Sequence, residues 1–170
     1  MTGVFSEPKA IANIREKGYI STDDKITFHT IIEVANELFD KDYRGFQRAV
    51  FHLDYDHDVW FPKLDVIRNG KQYPGVKHWH NYFVNNNQDI LVEYPTKKCD
   101  LKTLVWPPKK FEKWTAYVFA KHEGSYCFFG TFESDRIATA SELGLTIDIK
   151  PNEPVKVYKR INQKAILPEK

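Results

Sequence analysis

The chain has 170 residues, with 25 basic and 23 acidic side chains, a net charge of +2 and a pI near 8.4. That length suits one compact domain with a real core, and the near-balance of charge permits nucleic-acid binding without requiring it. Two widely spaced cysteines, Cys99 and Cys127, exclude a zinc site built from cysteines alone, and no apolar run is long enough to span a membrane.

The first helix is expected over residues 8–17, "PKAIANIREK". Ala10, Ile11 and Ile14 fall at helical spacing, Pro8 suits a first turn and Gly18 a stop. A second is expected within residues 27–39. There Thr30 and Glu33 have capping-box spacing, and Ile31, Val34, Ala35 and Leu38 form one apolar stripe. Strand character follows in "FQRAVFHL" and "DVWFPKLDVI", which flank "DYDHD". Residues 68–75, "RNGKQYPG", read as an exposed turn, residues 89–94 as a strand, and "WPPKK", residues 106–110, as an extended loop. "WTAYVFAK" and "YCFFGTFE" flank "HEGS" and make the clearest hairpin. A short helix is expected at "SDRIATASEL" and a final strand at residues 155–161, while "NQKAILPEK" carries no folding signal.

Two helices followed by strands predict an α+β fold. Its core is a small, strongly bent mixed sheet or barrel, with two N-terminal helices and a short helix in the C-terminal half. The expectation is a single domain over residues 1–170, either complete or excised from a longer protein. The absence of an N-terminal signal peptide points to free thiols in the cytoplasm.

Asp54, Asp56 and Asp58 match the first three ligand positions of a calcium loop. Val59 stands where that loop needs glycine, and Asp65 where it needs glutamate. An unbroken strand would set His52 on one face with the three aspartates and His57 on the other, so the histidines would not converge. The stretch therefore reads as the acidic tip of a hairpin. His78 and His80 are spaced to ligate one metal from an edge strand, with His52, His57, Asp89 or Glu93 as a third ligand. The reading favoured over this is a surface histidine pair beside a packed Trp79. Asp89, Glu93 and Lys97 lack the acid-x-Lys spacing of a carboxylate nuclease. No nucleophile elbow or phosphate-cradling glycine motif occurs, and Cys127 lies in an apolar strand. The chain therefore reads as a binding domain rather than an enzyme, with no catalytic residue, metal or cofactor assigned.

Aromatic side chains make up 15% of the residues, and many stand beside polar groups. Most must fill the core, but a flat base also stacks between aromatic faces while polar groups read its edge. Trp60, Trp79, Asn81, Asp89 and Tyr117 are the candidates for such a pocket. Lys63, Arg68, Lys71, Lys77, Lys109 and Lys110 are the candidates for phosphate contact, with Arg44 and Arg48 as further cations.

Three stretches carry a family likeness: "YRGFQRAVFHL…VWFPKL", "WHNYFVNNNQDILVEY" and "YVFAKHEGSYCFFGTFE…VYKRI". Together they resemble PUA-like β-barrel domains, the superfamily of the EVE, YTH, ASCH and SRA readers. The resemblance implies a small bent barrel with helices at its side. It also implies binding of DNA or RNA, often with a modified base turned into an aromatic pocket, and DNA is the partner expected here over RNA. No cofactor and no membrane are implied, and an attached nuclease or translocase of a restriction or defence system would do any cutting. The alternatives are a metal-dependent nuclease using His52, Asp54, Asp56, Asp58, His78 and His80, or a protein-interaction domain.

Overall fold

The computed structural model describes residues 4–45, 48–97 and 113–169. Cys99, Lys109, Lys110 and the "WPPKK" loop lie outside the described residues. In chain order the elements are β1 (Val4–Phe5), α1 (Pro8–Lys17), β2 (Tyr19–Ser21), a 3₁₀ turn (Thr22–Asp24), β3 (Ile26–Phe28) and α2 (Ile31–Phe39). Then come β4 (Val50–His52), β5 (Asp58–Trp60), β6 (Val66–Arg68), β7 (Lys71–Tyr73), β8 (Trp79–Phe83) and β9 (Ile90–Pro95). The remainder are β10 (Thr115–His122), β11 (Ser125–Thr139), α3 (Ala140–Leu143), β12 (Pro154–Asn162) and β13 (Lys164–Ile166). The fold is α+β, with two N-terminal helices and one short helix in the C-terminal half, as the sequence predicts.

The chain forms two compact units. The first takes Met1–Pro62, Thr115–Phe132 and Ile161–Lys170; the second takes Lys63–Trp114 and Glu133–Arg160.

In the first unit α1 ends where Gly18 enters the left-handed region, φ 80°, and its N–H reaches the carbonyls of Ile14 and Arg15 at 3.0 and 3.2 Å. Thr30 caps α2 by accepting from the Glu33 N–H at 3.1 Å. The Glu33 carboxylate reaches back to the His29 N–H at 2.9 Å. Val34, Ala35 and Leu38 are buried, so the predicted stripe is the face that packs. It meets Phe28, Phe51, Phe61 and Phe119 in one aromatic-rich core. Strands β4, β5, β10 and β11 neighbour one another in that order. The β5–β10 pair is parallel and β4–β5 antiparallel, so the sheet is mixed. Its path ends at β4, and no pairing among the described residues closes it into a barrel.

The C-terminal stretch does fold, contrary to the sequence reading. β13 pairs antiparallel with β2, Ala165 and Leu167 are buried, and the Leu167 N–H donates to the Gly18 carbonyl at 2.9 Å. Alternation over only three residues was too short a pattern to show this strand.

In the second unit the strand order is β11, β12, β9, β8. Residues 68–75 are more than a turn: β6 and β7 form a separate hairpin whose corner residues Asn69 and Gly70 have φ 53° and 75°. The helix expected at "SDRIATASEL" is confined to α3, and its first half continues β11. Residues 134–139 are drawn into β11, whose place beside β12 overrides local propensity. Thr139 then caps α3, accepting from the Glu142 N–H at 3.2 Å.

A candidate base-reading face on β8, β9 and β12

Successive side chains of a strand leave opposite faces, and directly paired residues share a face. Asn81 pairs with Glu93, and Glu93 pairs with Lys156. Phe83 pairs with Leu91, and Leu91 with Tyr158. One face of the β8–β9–β12 sheet therefore carries Trp79, Asn81, Glu93, Lys156 and Tyr158. The opposite face carries Tyr82, Val92, Tyr94 and Val155, which pack with Ala140 and Ile149.

On the first face Asn81 is only 3% exposed, and its side-chain oxygen has no hydrogen-bond partner among the described residues. A buried amide oxygen left so costs about 1–3 kcal/mol, which a ligand donor would recover. Burial pushes the Glu93 carboxyl above its usual range, against the opposing pull of the Lys156 ammonium at 4.0 Å and the Tyr158 hydroxyl, which donates to it at 3.3 Å. The Trp114 ring meets Tyr158 edge-on, with centroids 5.9 Å apart. The Trp114 backbone is fixed by Ser134, whose hydroxyl accepts its N–H at 2.8 Å.

His80 points the other way and is 1% exposed, so "HWH" is not a surface histidine pair. Its Nδ1 donates to the Asp65 carboxylate at 2.6 Å and its Nε2 to the Asp148 carboxylate at 3.0 Å. Burial works against protonation of the imidazole, but the two carboxylates prevail and its pKa lies above the ordinary 6.5. With both nitrogens committed to carboxylates, His80 has no lone pair for a metal.

"DYDHD" is the tip of the β4–β5 hairpin, with His52 opposite Asp58. Asp54 turns that tip, accepting from the N–H groups of Asp56 and His57 at 2.8 Å each. Among the described residues no group of three His, Cys, Asp or Glu is placed to hold a metal ion.

The five pocket candidates do not all share a face. Trp79 and Asn81 stand together on β8. Asp89 shapes the turn into β9: its side chain pairs with Asn85, whose side-chain oxygen accepts from the Ile90 N–H at 3.2 Å. Trp60 and Tyr117 belong to the first unit, where Tyr117 pairs with Val59 and Val118 with Trp60. The two aromatic side chains therefore leave opposite faces of the β5–β10 pair. Trp60 is buried, and Tyr117 stacks on His57 with ring centroids 4.9 Å apart. With Asp54, Asn162 and Lys164 it lines a cleft of about 540 Å³. Arg68, Lys71 and Lys77 are exposed and Lys63 is half-buried. Arg68 and Lys71 face each other beside the β6–β7 corner. The sequence reading did not bring Glu93, Trp114 and Tyr158 together with Asn81. Strand alternation between Asn81 and Glu93 was the available signal, but their pairing register was needed to use it.

The model of the family described as "SET and RING associated domain" matches residues 13–167. The chain belongs to the SRA family. It is thus a DNA-binding recognition domain of the PUA-like superfamily, as the sequence resemblance implied. A solved structure described as "The 5-Hydroxymethylcytosine-Specific Restriction Enzyme AbaSI" shares the fold of this SRA chain, with a TM-score of 0.63 at 22% identity. The match covers 92% of this chain and 45% of that one, so this SRA chain spans less than half the length of AbaSI. No curated protein matches it. Among the described residues no helix is long and apolar enough to cross a membrane.

Proposed function

We propose that this SRA domain reads a modified cytosine, of the 5-hydroxymethylcytosine class, turned out of a DNA duplex onto the face bearing Asn81 and Glu93. The observation that carries this reading is the Asn81 oxygen, unpartnered among the described residues and lying opposite a carboxyl whose pKa burial raises. Cytosine presents two N4–H donors beside the N3 acceptor. A neutral Glu93 donates its hydroxyl hydrogen to N3 and accepts one N4 hydrogen, and the Asn81 oxygen accepts the other. Thymine would set its O4 acceptor against both oxygens. Trp79 and Trp114 supply ring surface for stacking, and the buried Tyr158 backs Trp114 edge-on. Lys63, Arg68, Lys71 and Lys77 supply the phosphate contacts that hold the duplex.

In this reading all 170 residues act as one recognition domain on DNA rather than RNA, in the cytoplasm. Cleavage belongs to an attached or associated nuclease module of a restriction system. The likeness to the fold of AbaSI supports the choice of base.

The test is a competition titration with duplexes that differ at one cytosine, bearing hydrogen, methyl or hydroxymethyl at C5. Preference for a modified duplex that disappears in Asn81→Ala supports the reading. Equal affinity for all three duplexes refutes it.

A further inference from the structure

Asp65 lies in the segment between β5 and β6, with its side chain 2% exposed, and every oxygen of its carboxylate is committed. One oxygen accepts the Asn81 backbone N–H at 3.0 Å. The other accepts His80 Nδ1 at 2.6 Å and Gln72 Nε2 at 2.9 Å. The Asp65 N–H also donates to the Asn81 carbonyl at 2.8 Å. Both polar groups of the Asn81 backbone are thus tied to one residue, whose carboxylate cannot rotate without breaking a buried bond.

We propose that Asp65 is a positioning residue for base reading, fixing the Asn81 backbone while His80 fixes the rotation of the Asp65 carboxylate. This inference rests on the base-reading role of Asn81. Asp65 itself touches no base, since its partners occupy the strand and its far face.

The charged and titratable groups around His80 come from every neighbouring element. Asp65 and Asp148 hold its two nitrogens, and the Tyr94 ring lies 5.0 Å from it, centroid to centroid. Tyr82 meets Tyr94 hydroxyl to hydroxyl at 2.8 Å, and Lys97 donates its backbone N–H to Asp148 at 3.0 Å. In the native chain His80 donates from Nδ1 both as the cation and as the neutral Nδ1–H tautomer, so Asp65 stays in place across neutral pH.

Asp65→Asn separates a positioning role from a merely structural one. With neutral His80, the new amide keeps its oxygen on the Asn81 N–H and turns its NH₂ to an unprotonated Nδ1, while the Gln72 amide flips so that its oxygen accepts the second N–H. With protonated His80 that orientation sets N–H against N–H. The amide then flips and abandons Asn81. The variant should therefore prefer the modified duplex at high pH and lose that preference at low pH, which the native chain does not do.

The experiment measures the affinity ratio for 5-hydroxymethylcytosine and unmodified duplexes at about pH 6 and about pH 8.5, spanning imidazole titration. Native chain, Asp65→Asn and Asp65→Ala are compared, with near-UV circular dichroism checking that each is folded. Dividing each variant's ratio by the native ratio at the same pH removes any contribution from Glu93. The expectation for Asp65→Ala is a loss of about tenfold in preference at both pH values, the scale of one misplaced base contact. Asp65→Asn should show that loss only at the lower pH. A folded Asp65→Asn whose preference matches the native ratio at both values, or falls equally at both, overturns the positioning role. A native chain that prefers the modified duplex leaves the base-reading proposal standing in either case. A native chain without preference at either pH removes both.

Discussion

Asn81 faces Glu93 across the β8–β9 ladder, and each supplies what the other lacks. The amide oxygen is buried without a donor among the described residues, while burial pushes the carboxyl toward holding a proton it can give. Two acceptors and one donor on neighbouring strands match the two donors and one acceptor on cytosine's edge.

Glu93→Leu keeps the approximate bulk of the side chain but removes both its donor and its acceptor. It should lower the preference for cytosine over thymine at the flipped position by about 1–3 kcal/mol. Binding of duplexes that differ only in that base checks this. Unchanged discrimination would remove Glu93 from the reading face.

Arg68→Ala and Lys71→Ala should each weaken binding to every duplex alike. Each should also flatten the dependence of log K on log salt by about one unit for every phosphate left without its cation. Titrations at four salt concentrations measure the slope. A sequence-dependent loss with an unchanged slope would mean that these side chains touch bases instead.

The His80–Asp148 pair should make stability depend on pH from both sides. The Asp148 carboxyl is held below its ordinary 3.8 even though burial acts against this, because the Lys97 N–H and His80 favour its charged form. Its contribution is complete above pH 3.8 and fades as pH falls through the lowered value. His80, raised above 6.5, contributes fully below pH 6.5 and fades as pH rises through the raised value. Urea unfolding of native chain and Asp148→Asn should therefore differ most near pH 5, between those limits. A difference that stays constant from pH 5 to pH 9 would contradict the assignment.

Leu38→Ala, at the centre of the α2 stripe, should cost about 2–5 kcal/mol of unfolding free energy. Thr30→Ala, which removes the cap of the same helix, should cost about 1 kcal/mol. Chemical denaturation of both variants checks the ranking, and a cap loss larger than the core loss would reverse it.

The sequence announces what local periodicity can carry. α1 begins and ends at the residues expected, α2 packs its predicted stripe, and the β10–β11 hairpin turns through Glu123 and Gly124, both at positive φ. "DYDHD" forms the hairpin tip that its composition suggests. β2, β3 and β13 have three residues each, too few for alternation to register, and are made by their partners. The same limit applies to the reading face. Trp79 and Asn81 stand out as an aromatic beside an amide, but Glu93 joins them only through a register that no single strand encodes. His80 misled for a related reason. Its carboxylate partners lie 15 and 68 residues away, so its burial had no local sign.

The pairing of β2 with β13 also has a consequence for synthesis. Ile20 leaves the ribosome early, yet its sheet partner Ala165 is made more than a hundred residues later. β3 likewise waits for Tyr126 and Cys127 on β11. The first unit therefore cannot complete itself as it emerges. β2 stays unpaired until β13 is made and β3 has only β1 beside it until β11 is made, so their closure is expected among the slow steps of folding. On a nascent chain those edges would be the natural place for a chaperone to hold.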